Sequence, residues 1–325
     1  MLNSLHMKYI VRSAGTQPLT CSSLALGTHQ FGCRDGIPEV QVQALLDRYV
    51  ELGGNVIDTA SVYGRTRQDD PPHSELLLGR WLASRPDLRH RVQIITKGAH
   101  YLIGDPVKKP RLAKTELDAD LFSSLTSLKL DAIDVYILHR DDPSRPVESI
   151  IDTLNDYVRQ GLVRFLGASN WSIHRILAAN AYARRSGQAG FVFSEIGYSL
   201  KAEKTHFYND YTIPVVTDDD YAAYLDSDLT VVAYNAQAYG FFYKYFATPD
   251  EEIDADPVNI RRLHRLRELC AQRDLPPAAI VLSYLTSNPV PTIALFSTTT
   301  MAHLEQSMAL ADVTLTPAEI EFLKT

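Results

Sequence analysis

The feature that most constrains this chain is an alternation of two hydrophobic periods. Eight short apolar runs, 24–27, 55–58, 92–97, 132–139, 163–169, 191–195, 230–235 and 292–297, each end in polar residues. Between them lie stretches with helical spacing. Val42, Leu45, Leu46, Tyr49 and Val50 share one face, and Gly53-Gly54 then supplies a stop. Ile150, Ile151, Leu154 and Val158 repeat the pattern up to Gly161, and Leu121, Phe122, Leu125 and Leu128 form a third face. Further helical patterns run over 74–83, 173–185, 219–225, 260–273 and 276–288. Strand then helix, eight times over, predicts an α/β fold of the (β/α)8 TIM-barrel type. An open doubly wound sheet needs a Gly-rich first turn, and no GxGxxG follows any of the runs. Without a Ser- or Gly-rich linker or an internal repeat, residues 1–325 read as one barrel domain ending in helices. The first 20 residues precede the first barrel strand and are expected to form a hairpin closing the barrel bottom.

Composition excludes several classes. With 45% hydrophobic and 22% charged residues the chain can bury a large core. Asp and Glu, 39 in all, outweigh 32 Lys and Arg, for a formal charge of −7. That balance gives no electrostatic footprint for nucleic acid and no polybasic anchor for anionic lipid. Cys21, Cys33 and Cys270 are widely spaced, which points to a reducing compartment rather than a disulfide framework. No signal-like or membrane-spanning apolar run is present, so the expected location is the cytoplasm.

In a barrel of this kind the chemistry lies at the C-terminal ends of the strands. The second strand ends in Asp58, with Tyr63 in the loop beyond; the third ends in Lys97, the fourth in His139 and the fifth in Ser169-Asn170. Alone, each has an ordinary structural use as a cap, a solvated charge or a core residue. Together they suit proton transfer to a carbonyl. A phenol is a poor acid at neutral pH, but a neighbouring ammonium favours its phenolate. Lys97 supplies that ammonium, Asp58 holds it, Tyr63 is the general acid, and His139 orients the carbonyl oxygen or relays the proton. The ten His show no HxH or HxxEH spacing, so no metal is expected and a metal-dependent barrel hydrolase is disfavoured.

The run Gly53-Gly54-Asn55-Val56-Ile57-Asp58-Thr59-Ala60-Ser61-Val62-Tyr63-Gly64 resembles the first signature of the aldo-keto reductase family. Ser74-Glu75, Leu78-Gly79, Ile95-Thr96-Lys97, Asp134-Val135-Tyr136-Ile137-Leu138-His139 and Gly167-Ala168-Ser169-Asn170-Trp171 follow in family order. The likeness extends from Leu24-Ala25-Leu26-Gly27-Thr28 to about Ala311. It implies a (β/α)8 barrel, NAD(P)H-dependent reduction of an aldehyde, ketone or sugar carbonyl, and the tetrad Asp58, Tyr63, Lys97 and His139. It also implies cofactor contacts: Ser169 and Asn170 on the nicotinamide carboxamide, Tyr234 stacked on the ring, and Gly27, Thr28 and Asp58 nearby.

Three places depart from the family pattern. The sixth-strand Gln is Glu195, or Ser194 if the alignment slips by one. Asn235-Ala236-Gln237 replaces the usual Ser-Pro-Leu over the pyrophosphate. Ser297-Thr298-Thr299 replaces a Gly-x-Arg/Lys whose cation pairs with the 2′-phosphate of NADPH. His303 and Glu305 fall at adenine-contacting positions, and Ser307 where an Asn is usual. NADP(H) is the cofactor the family implies; the loss of the basic residue at Thr299 makes NAD(H) an equal or preferred partner. The expected partner is otherwise a small carbonyl compound or sugar, with His100, Tyr101 and Trp171 as pocket walls. The aromatic run Tyr239, Phe241, Phe242, Tyr243, Tyr245 and Phe246 is either a loop pinned by packing or a wall of the barrel mouth. The weakened clamp also admits a different class, a cofactor-binding regulatory or interaction subunit with little turnover.

Overall fold

The computed structural model describes residues 7–14, 17–33, 36–203, 210–214, 216–253 and 256–324. The chain opens with an antiparallel hairpin, β1 (Tyr9–Ala14) and β2 (Gln17–Ser22). Eight parallel strands follow: β3 (Leu24–Gly27), β4 (Val56–Asp58), β5 (Gln93–Gly98), β6 (Ile133–Leu138), β7 (Val163–Ser169), β8 (Phe191–Gly197), β9 (Thr230–Tyr234) and β10 (Thr292–Phe296). They close in sequence order, with β10 pairing both β9 and β3. Each ends within two residues of the boundary expected from its apolar run. The crossovers carry α1 (Glu39–Glu51), α2 (His73–Ser84), α3 (Lys114–Leu128), α4 (Val147–Arg159), α5 (Ile173–Arg185) and α6 (Asp218–Leu225). Beyond β9 come α7 (Phe241–Tyr245), α8 (Pro257–Arg273) and α9 (Pro277–Thr286); α10 (Met301–Met308) and α11 (Pro317–Lys324) follow β10. This is the (β/α)8 barrel.

Strand alternation divides the apolar residues into two cores. Outward-facing Leu26, Ile57, Ile94, Leu138, Leu166 and Ile196 pack under the helices. Inward-facing Ala25, Val56, Ile95, Val135, Phe165, Phe193, Val232 and Ile293 fill the barrel. Leu19 and Cys21 of β2 join this inner core, so the hairpin plugs the barrel bottom. Asn55 ties it there, its side chain accepting from the Ser22 amide (2.7 Å) and donating to Thr20 O (2.8 Å). The helix faces fall as their spacing predicts, with one exception. In α3 the buried stripe is Leu117, Leu121, Leu125 and Leu128, while Phe122 is exposed. Residue 122 lies one step, about 100°, off that stripe.

Candidate active site

The alternation that fills the barrel with apolar side chains also aims its last inward positions at the open end. On β5, Ile95 faces in, Thr96 faces out to α2, and Lys97 faces in again. Counting from Val56 brings Asp58 inward on β4, and Phe193 does the same for Glu195 on β8. Tyr63 comes from the β4–α2 loop. There Gly64 adopts φ +79°, and a Cβ would approach His73 Cβ to 2.9 Å, so the turn that delivers the phenol requires glycine.

Lys97 Nζ donates to both oxygens of Asp58 (2.7 and 2.5 Å) and to Thr59 O (3.0 Å), and lies 3.4 Å from the Tyr63 hydroxyl. A second carboxylate, Glu195, stands 3.3 Å away. Burial works against the charged lysine, but Asp58 and Glu195 outweigh it and hold its pKa above the ordinary value. Burial raises the Asp58 carboxyl against the pull of Lys97. Tyr63 departs from the sequence expectation: Lys97 pulls its pKa down, yet burial, reinforced by Asp58 and Glu195, pushes it up overall. Its phenol therefore carries its proton across the neutral range. His139 sits edge-on to Tyr63, ring centroids 6.0 Å apart, and 4.7 Å from His100. Burial, then His100, Arg140 and Lys97, hold it well below the usual histidine range, so its ring is neutral.

Asp58, Tyr63, His100, His139 and Glu195 border a cavity of about 560 Å³ at the barrel mouth, while Lys97 lies behind them and outside its lining. Of the positions expected to bind cofactor, Gly27, Asp58, Ser169, Asn170, Glu195, Tyr234, Asn235, Gln237 and Ser297 line it. The Glu195 or Ser194 ambiguity is resolved: Ser194 faces outward and shares a hydrogen bond with Tyr224 of α6 (2.7 Å). Asn170 has φ +61°, accepts from Tyr234 (2.7 Å) and donates to His139 O and Ser169 Oγ, which couples the ends of β6, β7 and β9. Buried Glu195 Oε2, Asn235 Nδ2 and His139 Nδ1 have no protein partner.

Other expected site residues lie elsewhere. Thr28 is a buried tie, donating to Asp58 O (2.9 Å) and paired with Ser74 (2.7 Å), and is not a cavity wall. Trp171 is not one either: it follows the left-handed Asn170, is buried, and packs edge-on to Phe191 (5.4 Å) and under Arg175 (5.0 Å). His100 lines the cavity, but Tyr101 turns to donate to Asp210 (2.8 Å) instead. Thr299, His303 and Glu305 lie outside the cavity lining. Thr299 O accepts from Gln41 (3.1 Å), and Glu305 pairs with Arg48 of α1 (2.8 Å). Of the aromatic run, Tyr239 alone borders the cavity; in the short helix α7 Phe242 is buried, Phe241 packs on it and Tyr245 on Phe241, so the segment, expected as a loop, is chiefly a helical turn pinned by packing. Arg267 fastens it through Tyr245 O, Phe246 O and Thr248 O.

His29, Arg140 and Ile213 also line the cavity, and nothing in the sequence singles them out. His29 sits edge-on to Tyr63 (6.2 Å). Arg140 follows His139 directly, with Nη2 3.6 Å from Asp210, a residue that also takes Lys108 (2.7 Å). Strand alternation signals neither His29 nor Arg140, because both lie beyond strand ends. Among the described residues no group of three or more His, Cys, Asp or Glu side chains is arranged to hold a metal ion, and no helix is long and apolar enough to cross a membrane.

The chain is a closed parallel (β/α)8 barrel with an ion-paired lysine, a phenol and an imidazole gathered at its mouth. The chain belongs to the aldo/keto reductase family, whose model matches residues 23–325. It is 26% identical to an uncharacterized oxidoreductase, YrpG, of Bacillus subtilis, over 93% of this chain and 90% of that protein. It is 31% identical to the aldo-keto reductase ausK of Emericella nidulans, over 54% of this chain and 44% of that one. An aryl-alcohol dehydrogenase, GME11368, of Pestalotiopsis microspora is 28% identical over 58% of this chain and 48% of its own. The chain thus spans about half the length of these fungal relatives. The likeness to an oxidoreductase runs through nearly the whole barrel.

Proposed function

We propose that this protein is a nicotinamide-dependent oxidoreductase that reduces a small aldehyde, ketone or sugar carbonyl, with Tyr63 as the general acid. The observation that carries the reading is the buried Lys97, salt-bridged to Asp58 and 3.4 Å from the Tyr63 hydroxyl beside the cavity. The cavity suits a nicotinamide group: Ser169, Asn170 and Glu195 offer polar atoms, Tyr234 an aromatic wall, and Asn235 Nδ2 an unpartnered donor. When bound, the cofactor supplies the hydride. Tyr63 gives its proton to the developing alkoxide, and Lys97 stabilises the phenolate left behind. Asp58 keeps Lys97 charged and fixed, and the neutral His139 ring donates an N–H to the carbonyl oxygen.

The test is turnover with NADH or NADPH and a carbonyl panel that begins with aryl aldehydes, after the fungal relative's name. Tyr63→Phe is expected to lower kcat/KM by about 10²–10⁴-fold. Undiminished turnover by that variant overturns the mechanism. Tight cofactor binding by the wild type with no turnover on any carbonyl supports an interaction subunit instead.

A further inference from the structure

The charges at the barrel mouth do not balance. Lys97 faces two carboxylates, Asp58 at 2.5 Å and Glu195 at 3.3 Å, and all three are almost fully buried. One ammonium cannot neutralise two carboxylates this deeply buried, so the trio retains a proton. The contacts show which acid keeps it. Asp58 engages Lys97 through both oxygens, whereas Glu195 has one longer contact to Lys97 and hydrogen-bonds the Asp58 carboxyl, a bond between two acids that needs a proton on one of them. Burial, then Asp58, push the Glu195 carboxyl up to about 8. Lys97 from β5, Asp58 from β4 and Tyr63 from the β4–α2 loop are the charged or titratable groups around it. The flanking strand ends of β7 and β9 bring Ser169, Asn170 and Tyr234 to the same cavity.

We propose that Glu195 is a charge-compensating group for the oxidised nicotinamide ring, losing its proton to solvent when that cation enters the cavity and keeping it when the neutral reduced ring does. With the proton on, Lys97 and Asp58 sum to zero beside a neutral Glu195. With it off, the extra negative charge has no counter-ion until a pyridinium arrives. The oxidised cofactor therefore gains affinity as pH rises towards the Glu195 pKa and the reduced cofactor does not, which tilts the site towards alcohol oxidation in alkali. The inference rests on the reading that this site takes a nicotinamide cofactor.

Calorimetric titration with NAD⁺, NADP⁺ and NADH, in buffers of different ionisation enthalpy, counts the protons released. Near pH 7 the wild type is expected to release close to one proton per oxidised cofactor bound and almost none per NADH. Its oxidised-cofactor affinity is expected to rise by up to about tenfold per pH unit between about pH 6 and 8, then level off. Glu195→Gln is expected to abolish both the proton release and the pH dependence of oxidised-cofactor binding. Tyr63→Phe is expected to keep both, which separates Glu195 from the phenol as the proton's source. Proton release that persists in Glu195→Gln and vanishes in Tyr63→Phe overturns the proposal. So does a wild-type affinity for the oxidised cofactor that is flat with pH, a reading that needs no variant to fold. Binding without proton release sinks this inference alone, whereas no binding of any of the three cofactors sinks the functional reading as well.

Discussion

Lys97 shows how one residue can be both a cost to the fold and, on the function proposed above, a condition of its chemistry. A lysine sealed from water is tolerated because two carboxylates and Thr59 O surround it. Removing it strands the carboxylates. Lys97→Met is expected to destabilise the protein by about 3–5 kcal/mol at neutral pH, read in denaturant titrations. It is also expected to cut kcat/KM by about two or more orders of magnitude, because the Tyr63 phenolate loses its stabiliser. Glu75 on α2 makes the opposite case. It is buried and accepts from Thr96 (2.6 Å), and burial, against the pull of Thr96 and Ser124, pushes its carboxyl up to about 7. The unfolded chain gives up that proton near 4.5, the folded chain only near 7. Stability is thus lost as pH rises through that window and stays level above it. Glu75→Gln is expected to gain about 2–3 kcal/mol at pH 8 and little at pH 4, which melting curves at the two pH values check. At this scale the sequence is a partial guide. Lys97 and His139 are legible because a polar residue closing an apolar strand has few uses. Trp171 is not, because the left-handed turn at Asn170 that carries it into the core leaves no periodic signal.

Elements whose side chains obey one period are the legible ones. All eight barrel strands and the α1 face follow from spacing because burial selects every second or every third-to-fourth residue. Loops obey no such rule. The contact from Tyr101 to Asp210 spans 109 residues, and the one from Arg140 to Thr212 spans 72. Only the closed barrel sets these partners side by side. The choice between Ser194 and Glu195 belongs here too: alternation on β8 from the inward Phe193 decides it, once the strand's phase is known. The hairpin stands between the extremes: its place at the barrel bottom is legible, but not that Leu19 and Cys21 are the residues that enter the inner core. Leu19 is buried in the inner core at the end away from the cavity. Leu19→Ala is expected to cost about 2–5 kcal/mol in chemical denaturation. Turnover per folded molecule is expected to stay unchanged. A parallel fall in kcat would show that the plug and the mouth are mechanically coupled.

For the whole molecule the question is where the excess of acids lies relative to an anionic cofactor. From Asp274 to Leu323 the chain has no Lys or Arg, and this stretch includes Thr299, the position at which the resemblance implies a 2′-phosphate cation. The fold does bring a cation close: Arg48 of α1 reaches across to Glu305 of α10 (2.8 Å). It is already engaged, however, by Glu305 and by Glu51 (3.1 Å). Two carboxylates on one guanidinium leave no net positive charge for a phosphate, and exposed pairs of this kind are worth little and are screened by salt. The expected outcome is that NADPH binds no more than about tenfold more tightly than NADH, a gap of about 1.4 kcal/mol, and that the gap closes further in moderate salt. Parallel fluorescence titrations at low and moderate ionic strength measure it. Releasing Arg48 makes the test two-sided. Glu305→Gln is expected to raise NADPH affinity selectively, because it removes one of the two carboxylates and leaves Arg48 with the exposed Glu51 alone, from which it can turn to a 2′-phosphate by charge-assisted hydrogen bonds. A strong NADPH preference that survives salt in the wild type, with Glu305→Gln leaving it unaltered, would place the phosphate against some other cation and break the link between this acidic segment and cofactor choice.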